Sequence, residues 1–197
     1  MQNRLIPLWA IIILSSLLAS CASLSPNGKI SDSQDLSTLQ HWQVRGKLAV
    51  MSPEDNVTGY LTWEQNQRAY DIFIAGPFGA RSSRLSGDHK HANLLLPGWK
   101  YPQQARNAEE LMSLHLGWDF PVASLNHWIK GQVAPRGKSQ ATYDEHGLLS
   151  ELQQHGWHIS YSRYQLQQGY WLPKLIKIQG YNYRFTFAIS QWNIYDH

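Results

Sequence analysis

Alternation of apolar and polar residues with a period of two is the feature that most constrains this chain. Trp42, Val44, Gly46, Leu48 and Val50 fall on one face of an extended segment, and Gln43, Arg45 and Lys47 on the other. After a turn at Pro53–Asn56, the pattern returns at Val57, Gly59, Leu61 and Trp63. Tyr70 to Ala75, residues 80–86 and residues 91–96 extend it, the last with Ala92, Leu94 and Leu96 on one face. A second run follows near the C-terminus: Leu148 to Gln154, then Trp157, Ile159 and Tyr161, then Leu172 to Ile178, then Tyr183, Phe185, Phe187 and Ile189.

Between the two runs the period lengthens. Asn107-Ala108-Glu109-Glu110 carries a capping box, and Leu111, Leu114 and His115 fall at helical spacing before Gly117. Pro121 suits a helix start, with Val122, Leu125, Trp128 and Ile129 on one stripe before Gly131. These signals predict a mainly β chain (α+β) of about ten antiparallel strands with two central helices. That many strands curl into an antiparallel barrel or half-barrel to bury one face. The helices then serve as a plug or lid over its concave side. Periodicity alone leaves open which strand face points inward.

The N-terminus reads as an export signal. One positive charge at Arg4 precedes an apolar run from Leu5 to Leu18, about 14 residues long and short for a membrane span. Leu18-Ala19-Ser20-Cys21 closes it and resembles a bacterial lipobox, in which the thiol takes the lipid before cleavage. Cys21 is the single Cys in the chain, so it is the expected lipidation site, and no disulfide can form within one chain. Ala22, rather than Asp, resembles the outer-membrane sorting class. Residues 1–20 are then signal peptide, 21–39 a lipidated polar tether, and 40–197 the β half-barrel domain.

Chemistry is sparse. Nine His include only two close pairs, His89/His91 and His155/His158, and no carboxylate or thiol cluster completes a metal site. No nucleophile motif or phosphate-binding loop is present, so neither a catalytic residue nor a cofactor is expected. With 17 basic against 14 acidic residues and no basic cluster, the pI of about 9.0 gives no case for nucleic acid. Gly76-Pro77-Phe78-Gly79 is the exception to blandness. Pro77 and two glycines make a tight connection with a large aromatic at its tip. Phe78 either folds back onto the core or stands out as an apolar finger for a bilayer or a partner.

Together the lipobox, the Trp42 to Val50 strand, the Gly76 to Gly79 turn, Ala108-Glu109-Glu110-Leu111-Met112 and the Pro121 to Gly131 segment resemble the LolB family of outer-membrane lipoprotein receptors. The family commonly has Leu where this chain has Phe78. The resemblance implies an unclosed barrel with a helical plug and an apolar cavity. It also implies uptake of acylated lipoprotein cargo from the periplasmic carrier LolA and delivery into outer-membrane lipid. The protein is then no enzyme, and a monomer is expected. Candidate cavity residues are Trp42, Val44, Leu48, Val50, Leu61, Trp63, Ile72, Ile74, Leu94, Leu96, Phe185 and Phe187 from the strands. Leu111, Leu125, Trp128 and Ile129 come from the helices, with Trp128 a candidate gate. Each of these could instead only fill a core. An assembly scaffold with a filled core and an envelope hydrolase are the rival readings.

Overall fold

The computed structural model describes residues 33–53, 56–117 and 119–195. Residues 1–20, Cys21 and most of the tether therefore lie outside the described residues. Within them, the strands are β1 (His41–Met51), β2 (Asn56–Asn66), β3 (Ala69–Ala75), β4 (Ser83–Gly87), β5 (Ala92–Leu95) and β6 (Gln103–Ala105). Helices α1 (Ala108–Leu116) and α2 (Val122–Trp128) follow, then β7 (Ser139–Tyr143), β8 (Leu149–Gln154), β9 (Trp157–Gln167), β10 (Tyr170–Gly180) and β11 (Tyr183–Ile194).

All eleven strands form one antiparallel sheet in the order β6-β5-β4-β3-β2-β1-β11-β10-β9-β8-β7. It is a single meander, broken in sequence between β6 and β7 and joined across β1 and β11. β6 and β7 are its two edges, so the barrel is unclosed. The chain between them, carrying α1 and α2, spans from one edge to the other. This is the plug position the alternating and helical periods predict.

Eleven strands stand against about ten expected, and the two that carry no periodic signal, β6 and β7, are both edges. β6 is a Gln-Gln-Ala triplet, and every residue of β7 is exposed. Neither strand buries a face, so neither carries a period-2 pattern; short polar edges also discourage pairing with other chains. β9 runs longer than its apolar core through a largely polar arm, residues 162–167, and β10 is extended opposite it by Tyr170 and Trp171.

The first helix starts and ends where its signals fall. Asn107 accepts a hydrogen bond from the Glu110 N–H at 2.8 Å, and Gly117 closes the helix in the left-handed region at φ 67°. α2 stops at Trp128, short of Gly131. At the β1–β11 seam, Gly46 sits at a register shift, and a Cβ there would collide with the Ala188 carbonyl.

Residues 34–39 of the expected tether are seated on the domain. Gln34 N–H donates to the Gly169 carbonyl at 2.8 Å, Asp35 caps a short turn over Leu36–Thr38, and Leu39 is buried. Lys130 holds this segment: it is buried, and its Nζ donates to the Leu39 carbonyl at 3.2 Å. Burial pushes the Lys130 ammonium down from 10.5 to about 8, with nearby Asp35 opposing the shift. Between those two pH values the unfolded chain binds more protons than the folded one, so stability rises with pH there. Relative to Lys130→Met, the parent is expected to gain up to about 3 kcal/mol from pH 8 to 10.5 in urea titrations. An unchanged difference would contradict it. Above pH 10 the sign reverses for both proteins, because burial raises the hydroxyl of Tyr70 to about 12 and those of Tyr161 and Tyr164 further.

Candidate functional site

The two halves of the sheet are packed differently. Over β8–β10 the concave face is filled: Leu149, Leu152, Trp157, Ile159, Leu172, Ile176 and Ile178 are all buried. Over β1–β5 and β11 it is not. There the sheet and the helices enclose a cavity of about 810 Å³, within the size range of small-molecule pockets.

Eleven of the candidate residues line that cavity: Leu48, Val50, Leu61, Trp63, Ile72, Ile74, Leu94, Leu96, Leu125, Phe185 and Phe187. Period-2 alternation brings them together, since the strand residues sit two apart on one face of a continuous sheet. The lining includes Val57, Leu85, Met112, Leu116, Phe120 and Val122 as well.

The other five are placed elsewhere. Trp42, Val44, Leu111, Trp128 and Ile129 are at most 1% exposed and belong to the packed core, not to the cavity wall. Trp42 lies between Trp63 and Trp192, with ring centroids at 5.1 and 5.4 Å. Trp128 is not arranged as a gate. Its indole N–H donates to Gln154 Oε1 at 2.9 Å, and the same oxygen accepts from the Ala134 N–H at 3.0 Å. Gln154 Nε2 in turn donates to the Ala134 and Arg136 carbonyls. Four bonds on one buried amide fix Trp128 to the filled half of the sheet. α2 is thereby held with Val122 and Leu125 towards the open half.

Phe120 is a cavity-lining position that strand and helix patterns miss. It is buried, lines the cavity, and touches Phe185 at 4.8 Å, Trp157 at 5.0 Å and Trp128 at 6.4 Å between ring centroids. A sequence clue exists. Phe120 precedes the Pro121 cap, and Leu125 sits four residues into the helix, the spacing of a hydrophobic staple.

The Gly76–Gly79 turn stands on the rim of the open half. Gly76 N–H donates to the Ala80 carbonyl at 2.9 Å, and Ala80 N–H to the Pro77 carbonyl at 3.2 Å. Phe78 sits at its tip in the left-handed region (φ 59°, ψ 23°) with its side chain fully exposed. A bulky residue at positive φ costs about 1–3 kcal/mol, and here no burial offsets it.

Fold and cavity define a class: an unclosed antiparallel half-barrel with a helical plug over an apolar cleft. Solved structures share the fold. A LolA superfamily protein from Nitrosomonas europaea superposes with a TM-score of 0.51 at 11% identity, over 88% of this chain and 92% of that one. A lipoprotein-sorting protein domain from Vibrio parahaemolyticus gives 0.54 at 7% identity, over 84% and 88%. The sequence model of the family "Outer membrane lipoprotein LolB" matches residues 40–192. The outer-membrane lipoprotein LolB of Pseudomonas paraeruginosa is 37% identical over 187 residues, covering 90% of this chain and 91% of its own. This chain belongs to the LolB family of outer-membrane lipoproteins. Its place is the outer membrane and its work is lipoprotein transport.

Proposed function

We propose that the protein accepts acylated lipoproteins from the periplasmic carrier LolA into this cavity and inserts them into the outer membrane. The observation that supports the reading best is an open apolar cavity with an exposed aromatic finger on its rim. Each buried methylene is worth about 0.8 kcal/mol, so a chain of about 16 carbons costs roughly 12 kcal/mol to expose to water. Cargo of that kind has to pass from one apolar site to another. Transfer runs down a ladder of affinity, from carrier to cavity to bilayer. Cys21, lipidated, anchors the protein beside the target bilayer, and Gly76, Pro77, Phe78 and Gly79 form the loop that enters it. This is trafficking by binding rather than catalysis.

The finger separates receiving from delivering. Burial of a Phe side chain is worth about 1.5–3 kcal/mol, enough for brief and reversible contact with lipid. Because Phe78 touches no core, Phe78→Glu should change folding stability by no more than about 0.5 kcal/mol. Uptake from loaded carrier should stay near normal, while insertion into liposomes slows about tenfold or more. Phe78→Leu should behave like the parent. Equal loss of both steps, or neither, would overturn the role.

A further inference from the structure

The cavity wall is not uniformly apolar. Its hydroxyl-bearing and basic side chains are Ser52, Arg81, Ser83 and His115, and strand register gathers the last three at the β4–β5 side of one end. Trp63 pairs with Ile72, Ile72 with Leu85, and Leu85 with Leu94, an apolar row across four strands. One pleat repeat outward, Ile74 pairs with Leu61 on one side and with Ser83 on the other. Arg81 lies two residues beyond Ser83, in the turn that follows Phe78. Ser52 lies farther out and three strands away, beyond the apolar pair Val50 and Val57. His115 is in the last turn of α1, edge-on to Trp99 at 5.0 Å, just past the outer end of β5. Apolar depth thus gives way to a polar collar on the β4–β5 side, while Val50 and Val57 keep the β1–β2 side of the mouth apolar.

The chemistry of the collar is that of donors. Arg81 offers five N–H groups and no acceptor, and Ser83 offers a hydroxyl. Arg84 points to the other sheet face, where Asp71 holds it at 2.9 Å; Arg81 makes no ion pair among the described residues. A hydrocarbon tail has no use for donors. If the depth of the cavity takes the tails, the first polar atoms up a glycerolipid are its ester carbonyl oxygens, which only accept.

We propose that Arg81 and Ser83, with His115 completing the collar, bind the ester carbonyls of a diacylglyceryl group. The site thereby selects ester-linked chains over plain or ether-linked ones. The proposal rests on the acyl-binding reading of the cavity. It also assigns two tasks to one turn: Phe78 faces outward to lipid, and Arg81 faces inward to the headgroup.

The test titrates the protein with a tail-brominated dipalmitoyl glycerol diester and its matched diether, reading quenching of Trp fluorescence, since Trp63 lines the cavity. The parent should bind the diester about tenfold or more tightly, as expected for hydrogen bonds to a charged donor. Arg81→Met with Ser83→Ala should abolish that preference and leave diether affinity within about twofold. Equal affinity of the parent for both lipids, or a preference that survives the double substitution, overturns the collar. Saturable quenching by neither lipid overturns the cavity reading instead. If the double variant fails to fold, Ser83→Ala alone should lower the preference about threefold. An unchanged preference in it counts against the proposal.

Discussion

Gln154→Leu is expected to destabilise the domain by about 4 kcal/mol. The side chain is 2% exposed and is the common partner of the Trp128 indole, the Ala134 N–H and the Ala134 and Arg136 carbonyls. Leucine fills similar space but answers none of these groups. Each buried donor or acceptor left unmade costs about 1–3 kcal/mol, and the Trp128 and Ala134 groups have no water to turn to. For a domain of this size the melting temperature should fall by about 10 °C. The loss should also reach function. With Trp128 released, α2 no longer holds Val122 and Leu125 against the cavity, so acyl affinity should drop beyond what unfolding explains. A melting temperature within about 3 °C of the parent would show that the amide network does not hold the helix.

Ile74→Glu should do the opposite: spare the fold and abolish binding. Ile74 is half-buried on the cavity face between Leu61 and Ser83. In the unloaded protein a carboxylate there stays in contact with water through the open mouth, so the cost to folding should be about 1 kcal/mol or less. A bound acyl chain would cover it. Removing water from a carboxylate costs several kcal/mol, and the neighbouring Arg81 recovers only part of that. Affinity for a fatty-acyl ligand should fall at least about 100-fold, measured by fluorescence displacement. A variant that is folded and still binds normally would place the acyl site elsewhere.

What was legible in the sequence follows from what leaves a periodic trace. The concave faces of β1 to β5 and β11 alternate strictly, so Leu48, Leu61, Trp63, Ile72 and Phe187 were readable as one face. Whether that face lined a void or a filled core was not, because apolar periodicity is identical in both cases. The difference arises from the far half of the sheet, where the buried amide of Gln154 and the rings of Trp157 and Phe120 draw α2 to one side. Trp42, Val44, Leu111, Trp128 and Ile129 carry the same pattern as the lining residues and yet lie in the packed core. Polar edges such as β6 and β7 left no trace at all. Phe78 was legible as a tip residue, but its full exposure depended on a left-handed backbone that only the fold specifies. No local pattern marks Lys130 as buried. Its burial under Leu39 depends on a contact 91 residues away along the chain.

The most direct measurement follows where acylated cargo goes. The chain from Ala22 onward, without its lipid anchor, is mixed with LolA carrying an acylated lipoprotein, and the two proteins are separated by affinity tag. The account predicts that most of the cargo leaves with this protein, one molecule to one, and that Ile74→Glu leaves it on the carrier. Cargo retained by LolA with the parent protein would contradict the account.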